Sequence, residues 1–144
     1  MARRFGSGRA WLAILTLAAG ALGATALAVV SAASSGPLTI AIDIRYSHFR
    51  PSTLTVPAGR PVTFVIHNGD PIDHEWIVGD AALHERHRTG TEPYHKSRPT
   101  EVSIDAGSTR ITTVTFDRPT RLTYVCHLPG HEAYGMVGTL VVTP

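Results

Sequence analysis

Short stretches in which apolar and polar residues alternate follow one another along most of the chain after residue 37. Eight of them are predicted strands: residues 38–44, 53–56, 61–67, 74–79, 100–104, 110–116, 121–126 and 136–142. Turns rich in Gly, Pro, Asn and Asp separate these stretches, as in PAGRP, HNGDP, DAGS and DRPT. This spacing predicts an all-β fold, an antiparallel β-sandwich with Greek-key connections.

One polar segment, residues 80–99, interrupts the strand pattern. It predicts a short helix over residues 81–88, and it contains His84, His87 and His95. On a helix His84 and His87 would share a face, because they lie three residues apart, and with His95 they could hold a second metal ion. The alternative, a solvated polar loop, is the interpretation we favour. A segment of this length between strands is typically functional or mobile.

The N-terminus has the pattern of an export signal. Three arginines come first: Arg3, Arg4 and Arg9. An uncharged apolar run, residues 11–30, and then small residues follow. Residues 1–36 are therefore predicted to form an apolar leader helix, either a signal peptide cleaved near Ala32 or Ala33 or an uncleaved membrane anchor. Residues 37–144 would then be one exported domain, periplasmic or extracellular, with membrane tethering as the alternative.

The charge of the chain argues against nucleic-acid binding. The 144 residues include 13 Lys and Arg and 11 Asp and Glu, for a net charge of +2. Three of the 13 basic residues lie in the leader, so the predicted domain holds 10 basic and 11 acidic residues. A nearly neutral domain attracts a phosphate backbone poorly. The length also suits a single domain.

Soft metal donors are concentrated near the C-terminus, in the segment YVCHLPGHEAYGM (residues 124–136). The single cysteine of the chain, Cys126, cannot form an internal disulfide, so it is a free thiol, an intermolecular bridge or a metal ligand. His131 follows it after four residues and Met136 after four more. His74 begins the predicted strand 74–79, and two strand ends meeting at one pole of a sandwich would bring it close.

These four side chains favour copper. Two imidazoles and a thiolate with a weak axial thioether suit an ion that cycles between Cu(I) and Cu(II), whereas zinc seldom recruits a thioether. We therefore predict that His74, Cys126, His131 and Met136 bind one copper ion. Such a set leaves no open position for a substrate, which points to electron transfer rather than to catalysis.

These motifs together resemble the cupredoxins, the blue copper proteins. The resemblance runs through PSTLTVPAGRPVTFVIHN (51–68), DHEWIVGD (73–80) and YVCHLPGHEAYGMVGTLVV (124–142). It places the same four residues on the copper ligands of that family. The spacing of four and four resembles the loops of rusticyanin and auracyanin more than the shorter loop of plastocyanin.

The chain departs from the family at Glu75, where plastocyanin and azurin have an Asn that ties the two ligand loops together. We expect Asn68 to be a turn residue rather than a substitute for that Asn. The segment around His127 also resembles the copper loop of multicopper oxidases, but Val125 stands where those enzymes have a His, and the chain has no His-x-His motif. We expect His127 to face solvent near the exit of the electron.

Other residues have structural interpretations. We expect His48 and His67 to be ordinary surface or strand residues. Three aromatic residues are expected to pack in the core rather than to carry electrons: Phe64, Trp76 and Tyr124.

The sequence thus predicts an exported, monomeric electron carrier that is not an enzyme. It would pass one electron between transient redox partner proteins, which would dock on a small apolar face around the His131 loop. The alternative function is that of a copper chaperone or storage protein. An oxidase- or reductase-like enzyme is a third and weaker possibility.

Overall fold

The computed structural model describes residues 37–90, 95 and 98–144, which contain nine strands and one helix. In chain order these are β1 (Leu38–Arg45), β2 (His48–Arg50), β3 (Thr53–Pro57), β4 (Pro61–Asn68), β5 (His74–Gly79), α1 (Ala81–Thr89), β6 (Glu101–Ile104), β7 (Thr109–Thr115), β8 (Thr120–Val125) and β9 (Val137–Thr143). The eight predicted strands are present, and the three-residue β2 is an addition. The predicted leader, residues 1–36, lies outside the described residues.

The strands form two sheets, one of order β2-β1-β4-β7 and one of order β3-β9-β8-β5-β6. The predicted all-β sandwich is confirmed. Its sheets are mixed rather than purely antiparallel, because β1 pairs with β4 and β3 pairs with β9 in parallel. Alternation with a period of two shows which face of a strand is buried. The period is the same in parallel and antiparallel strands, so the sequence pattern cannot reveal the direction of pairing.

The core lies between the two sheets and is built from alternate residues of each strand. In β4, for example, Val62, Phe64 and Ile66 are buried at every second position. Phe64 packs against Trp76 of β5 with ring centroids 4.8 Å apart, and Trp76 lies near Tyr124 of β8. The three aromatic side chains are fully buried, which confirms the predicted core role.

β5 is buried on both faces. Five of its six residues are buried in sequence, unlike the alternating pattern of β4. Trp76 and Val78 point into the core between the sheets, whereas α1 packs against β5 from outside the sandwich. This second cover explains how Glu75, a charged residue, comes to be 4% exposed.

The helix α1 confirms the helical prediction for residues 81–88. Asp80 caps its N-terminus, because the Asp80 carboxylate accepts a hydrogen bond of 2.9 Å from the backbone N–H of Leu83. Its last turn carries Arg86, His87 and Arg88, whose positive charge suits the C-terminal end of a helix. Within the described residues, no helix is both long and apolar enough to cross a bilayer.

Gly138 allows the ring of Tyr124 to lie flat across β9. The two residues pair directly between β8 and β9, and the Tyr124 hydroxyl donates a hydrogen bond of 2.7 Å to the backbone carbonyl of Pro51. A Cβ atom at position 138 would overlap the Tyr124 ring and hydroxyl.

We predict that Gly138→Ala lowers the free energy of unfolding by about 3 kcal/mol, the upper end of the usual cost of overpacking. Denaturant titration of the metal-free protein measures this change. Gly59→Ala is the matched control, since no atom lies within 4 Å of a Cβ built there and only its positive φ of 70° is unfavourable, at about 1 kcal/mol. Equal losses in the two variants would contradict the role given to Tyr124.

Candidate metal centre

His74 and His131 face each other at one end of the sandwich. Their Nδ1 atoms are 3.2 Å apart, although the residues are separated by 57 positions in sequence. His74 begins β5 and is 1% exposed, whereas His131 lies in the loop between β8 and β9 and is half-buried. The strand end and the loop therefore bring two imidazole nitrogens to one point.

Cys126 completes this group of donors. It follows β8 directly, is fully buried, and places its Sγ 3.3 Å from Nδ1 of His131. The donor atoms of His74, Cys126 and His131 all lie within 4.8 Å of one another. Donors about 2.0–2.3 Å from a shared ion would have separations of this order. The structure therefore brings together three of the four predicted ligands.

Backbone hydrogen bonds hold Met136 beside these three donors. Its N–H donates a hydrogen bond of 3.0 Å to the carbonyl of His131, and its carbonyl accepts one of 3.2 Å from the N–H of Cys126. The Met136 side chain is fully buried. These contacts close the loop with Cys126 at one end and Met136 at the other, and the axial role of the thioether stays a prediction.

The loop between these two residues is built from tight turns. Gly130 and Gly135 have φ values of 85° and 96°, a region that glycine adopts without strain. The N–H of His131 donates to the carbonyl of Leu128, and the N–H of Gly135 donates to that of Glu132. The spacing of four and four residues thus corresponds to two successive turns that direct both His131 and Met136.

Asp70 holds the imidazole of His74 in one orientation. Its Oδ2 lies 3.0 Å from Nε2 of His74, so that Nε2 carries the proton and Nδ1 keeps a free lone pair that faces His131. Burial lowers the pKa of His74, and the hydrogen bond to Asp70 offsets part of this effect. The neutral form required of a metal ligand is therefore favoured.

Asp70 is itself held by the backbone. The N–H groups of Tyr46 and Ser47 each donate a hydrogen bond of 2.7 Å to its carboxylate. Burial acts to raise the pKa of Asp70, but these two bonds and the one from His74 outweigh it and keep the pKa below its usual value. Sequence reasoning missed this residue, since we interpreted the segment HNGDP as a turn. Its place four residues before His74 was the available signal.

The Cys126 thiol is held in an environment that disfavours charge. Burial raises its pKa to about 11, even though the backbone N–H of Glu75 donates a hydrogen bond of 3.3 Å to Sγ. The thiol is therefore protonated without a metal, and metal binding must displace that proton because the thiolate is the ligand. The same hydrogen bond joins the two ligand segments.

Asn68 has the turn role that we expected. Its side-chain amide donates to the carbonyls of Ile72 and Asp105, and its Oδ1 accepts a hydrogen bond of 3.0 Å from the N–H of Asp70. It thus fixes the turn that carries Asp70. His67 bonds to Thr109 on the exposed side of the sheet, and His48 is likewise outside the metal cluster, as predicted.

The expectation that His127 faces solvent is wrong. Its side chain is 4% exposed, its Nε2 lies 2.9 Å from Nδ1 of His84, and its Nδ1 lies 3.3 Å from the Glu132 carboxylate. Burial, the largest cause, lowers the pKa of His127 to about 4. The helix α1 carries His84 over this position, and no pattern in the sequence linked two segments 43 residues apart.

The favoured interpretation of residues 80–99 as a solvated polar loop is also wrong for its histidines. His84 is 2% and His95 is 8% exposed. His84 does not join the other two, since its ring contacts His127 and the carbonyl of Thr123. His87 and His95 instead meet Glu101, a residue that sequence reasoning did not single out.

Comparison with known proteins assigns the family. Residues 38–143 match the family described as copper binding proteins, plastocyanin/azurin family. The chain belongs to the cupredoxins. The predicted resemblance is thus confirmed, and the thiolate and imidazole donors brought together here are chemically suited to the copper of this family.

Individual copper proteins show how close the similarity is. The copper-resistant cuproprotein CopI of Pseudomonas aeruginosa is 29% identical over 144 aligned positions, which cover 78% of this chain and 80% of the relative. CopI of Rubrivivax gelatinosus is 33% identical, but this chain spans only 59% of its length. Auracyanin A, a blue copper protein of Chloroflexus aurantiacus, superimposes with a TM-score of 0.60 at 26% identity, covering 75% of this chain and all of that structure.

We predict that Cys126→Ser abolishes the intense visible absorption of the Cu(II)-loaded protein, because the thiolate that gives rise to it is gone. Visible spectroscopy after addition of Cu(II) measures this. His67→Ala, outside the cluster, should keep the full absorption. Retention of the colour by Cys126→Ser would refute the ligand set.

We predict that Met136→Leu leaves copper bound and raises the reduction potential, because a weak axial donor that stabilises Cu(II) is lost. Protein-film voltammetry of the two copper-loaded proteins measures the difference. Met136 is not the axial ligand if both proteins give the same potential.

Proposed function

We propose that this chain is an exported cupredoxin of the copper-resistance type, and that its copper centre works by exchanging one electron with partner proteins. The observation that carries the proposal is a group of three buried donors, His74, Cys126 and His131, closed by a loop that ends at the buried Met136. When bound, copper supplies a one-electron couple between Cu(I) and Cu(II).

The protein around this centre favours a fixed ligand geometry. Asp70 sets the orientation of His74, and two backbone N–H groups set the orientation of Asp70. The Cys126 sulfur accepts a hydrogen bond from Glu75, and backbone bonds close its loop. Ligands held in this way need to move little when the charge of the ion changes, which supports electron exchange.

His131 is the proposed point of entry and exit for the electron. It is half-buried, whereas His74, Cys126 and Met136 are buried. Apolar side chains close to it in sequence are exposed, with Tyr134 at 78% and Val137 at 39%. A small apolar face of this kind suits the brief encounters of redox partners.

Copper delivery or storage is the second candidate function, because the CopI relatives are named as copper-resistant cuproproteins. A protein of this kind would release its ion to an acceptor. Catalysis is the least supported function, because four ligands leave no open position and the chain lacks the His-x-His motifs of the oxidases.

Repeated oxidation and reduction of the purified copper-loaded protein separates the two candidates. We expect the copper content to stay at its starting value over many cycles of ascorbate and ferricyanide, with full recovery of the visible absorption each time. The same protein, held reduced with a chelator specific for Cu(I), should lose copper far more slowly than it exchanges electrons. Transfer of the ion to the chelator within one reduction step would favour copper delivery and contradict electron exchange.

A further inference from the structure

A second group of metal-binding side chains lies outside the sandwich, behind β5. His87 comes from the last turn of α1, His95 from the segment after the helix, and Glu101 from the first position of β6. Their side chains are 9%, 2% and 6% exposed. One donor atom from each lies within 4.8 Å of the others. We call these three residues the outer cluster.

The protonation of His87 directs a lone pair into the outer cluster. Its Nδ1 lies 2.9 Å from the backbone carbonyl of Leu83, which can only accept, so Nδ1 carries the proton. Nε2 then carries a lone pair, has no hydrogen-bond partner within the described residues, and lies 3.5 Å from the Glu101 carboxylate. Two buried, electron-rich atoms at this distance are unfavourable unless a cation or a proton lies between them.

His95 has carboxylates on both sides of its ring. Its Nδ1 lies 3.3 Å from Oε2 of Glu101, and its Nε2 lies 3.7 Å from Oε1 of Glu75. The Glu75 carboxylate behind the ring is at ion-pair distance, beyond hydrogen-bond reach, and its charge favours the tautomer with the proton on Nε2 and the lone pair on Nδ1, the atom that faces Glu101. The backbone N–H of His95 is held by the hydroxyl of Ser103, 3.2 Å away.

We propose that Nε2 of His87, Nδ1 of His95 and a carboxylate oxygen of Glu101 bind a second metal ion, Cu(II). Two imidazoles and a carboxylate, without sulfur, are borderline and hard donors that suit a divalent ion, whereas Cu(I) prefers thiolate and thioether. Among the divalent first-row ions such a site binds Cu(II) most tightly. This site goes beyond the proposed function and does not rest on it.

Arg98 competes with the metal for Glu101. Its Nη1 donates a hydrogen bond of 2.9 Å to Oε2 of Glu101, the oxygen that also faces both histidines. The Arg98 side chain is 57% exposed. A bound ion would have to displace this hydrogen bond, so removal of the Arg98 guanidinium should strengthen metal binding.

Copper binding to the wild-type chain and to variants of the outer cluster tests the proposal. Titration with Cu(II) alone, followed by electron paramagnetic resonance and calorimetry, should give two copper ions per wild-type chain. One has the signal of a thiolate-bound ion and the other that of nitrogen and oxygen ligands. His87→Ala and Glu101→Gln should each lose the second signal and weaken the second binding step by at least about 100-fold, the upper range for loss of an outer-shell partner.

Two further variants and one further readout control the measurement. His67→Ala removes a histidine outside both clusters and should still bind two ions. Arg98→Gln should bind the second ion more tightly than the wild-type chain. The thiolate absorption at Cys126 should persist in His87→Ala, which shows that this variant is folded. If His87→Ala does not fold, Glu101→Gln and Arg98→Gln decide the outcome.

The proposal fails if the wild-type chain binds one Cu(II), or if the second ion is bound equally well by His87→Ala and Glu101→Gln. The outer cluster would then be a network of ion-paired histidines. The double variant Cys126→Ser/His131→Ala separates this result from the proposed function. It should lose the thiolate signal and keep the second one, and that second signal should disappear when His87→Ala is added.

Discussion

The pairing register of β5 with β8 is the constraint on which both clusters depend. Ile77 lies opposite Val125 in this antiparallel ladder, which brings the start of β5 beside the end of β8. His74 and Cys126 consequently reach one point, and the Glu75 N–H meets the Cys126 sulfur. Since side chains alternate between faces, a slip of one residue would send His74 to the outside and separate the donors.

The same alternation explains why one strand serves two chemical environments. In β5, His74 and Trp76 lie on the face that points to the core. Glu75, between them, points outward to His95. The same alternation holds at the end of β8. Cys126 belongs to the core, whereas His127 lies on the outer face and stacks on His87 with ring centroids 5.4 Å apart. Helix α1 covers the outward residues, so the polar side chains there are buried as well.

Local patterns in the sequence were sufficient to predict the strands and to identify the metal donors near Cys126. A strand can be recognised from the alternation of apolar and polar residues over a few positions. The spacing of Cys126, His131 and Met136 corresponds to two turns of one loop. What could not be predicted depends on contacts between distant segments. Glu101 joins His87 only because β6 pairs with β5, and His127 is buried only because α1 returns across β8.

The parallel pairing of β1 with β4 and the role of Asp70 have the same explanation. Neither the direction of a neighbouring strand nor the partner of a carboxylate in a turn leaves a periodic signal. Asp70 matters because two N–H groups from Tyr46 and Ser47, more than 20 residues away, fix its carboxylate beside His74. The turn motif alone does not predict these contacts, which are what allow Asp70 to orient His74.

Two metal positions on opposite faces of one sheet would not act independently. The peptide bond between His74 and Glu75 and the one between Cys126 and His127 each connect the two environments. A divalent ion in the outer cluster adds positive charge near the inner donors, and in a buried region this charge is weakly screened. Because Cu(I) carries one charge fewer than Cu(II), the added charge favours the reduced state at Cys126. By linkage, reduction at Cys126 would strengthen binding at His87, His95 and Glu101 to the same extent. The β5–β8 ladder would thereby couple the oxidation state of one copper ion to the binding of another.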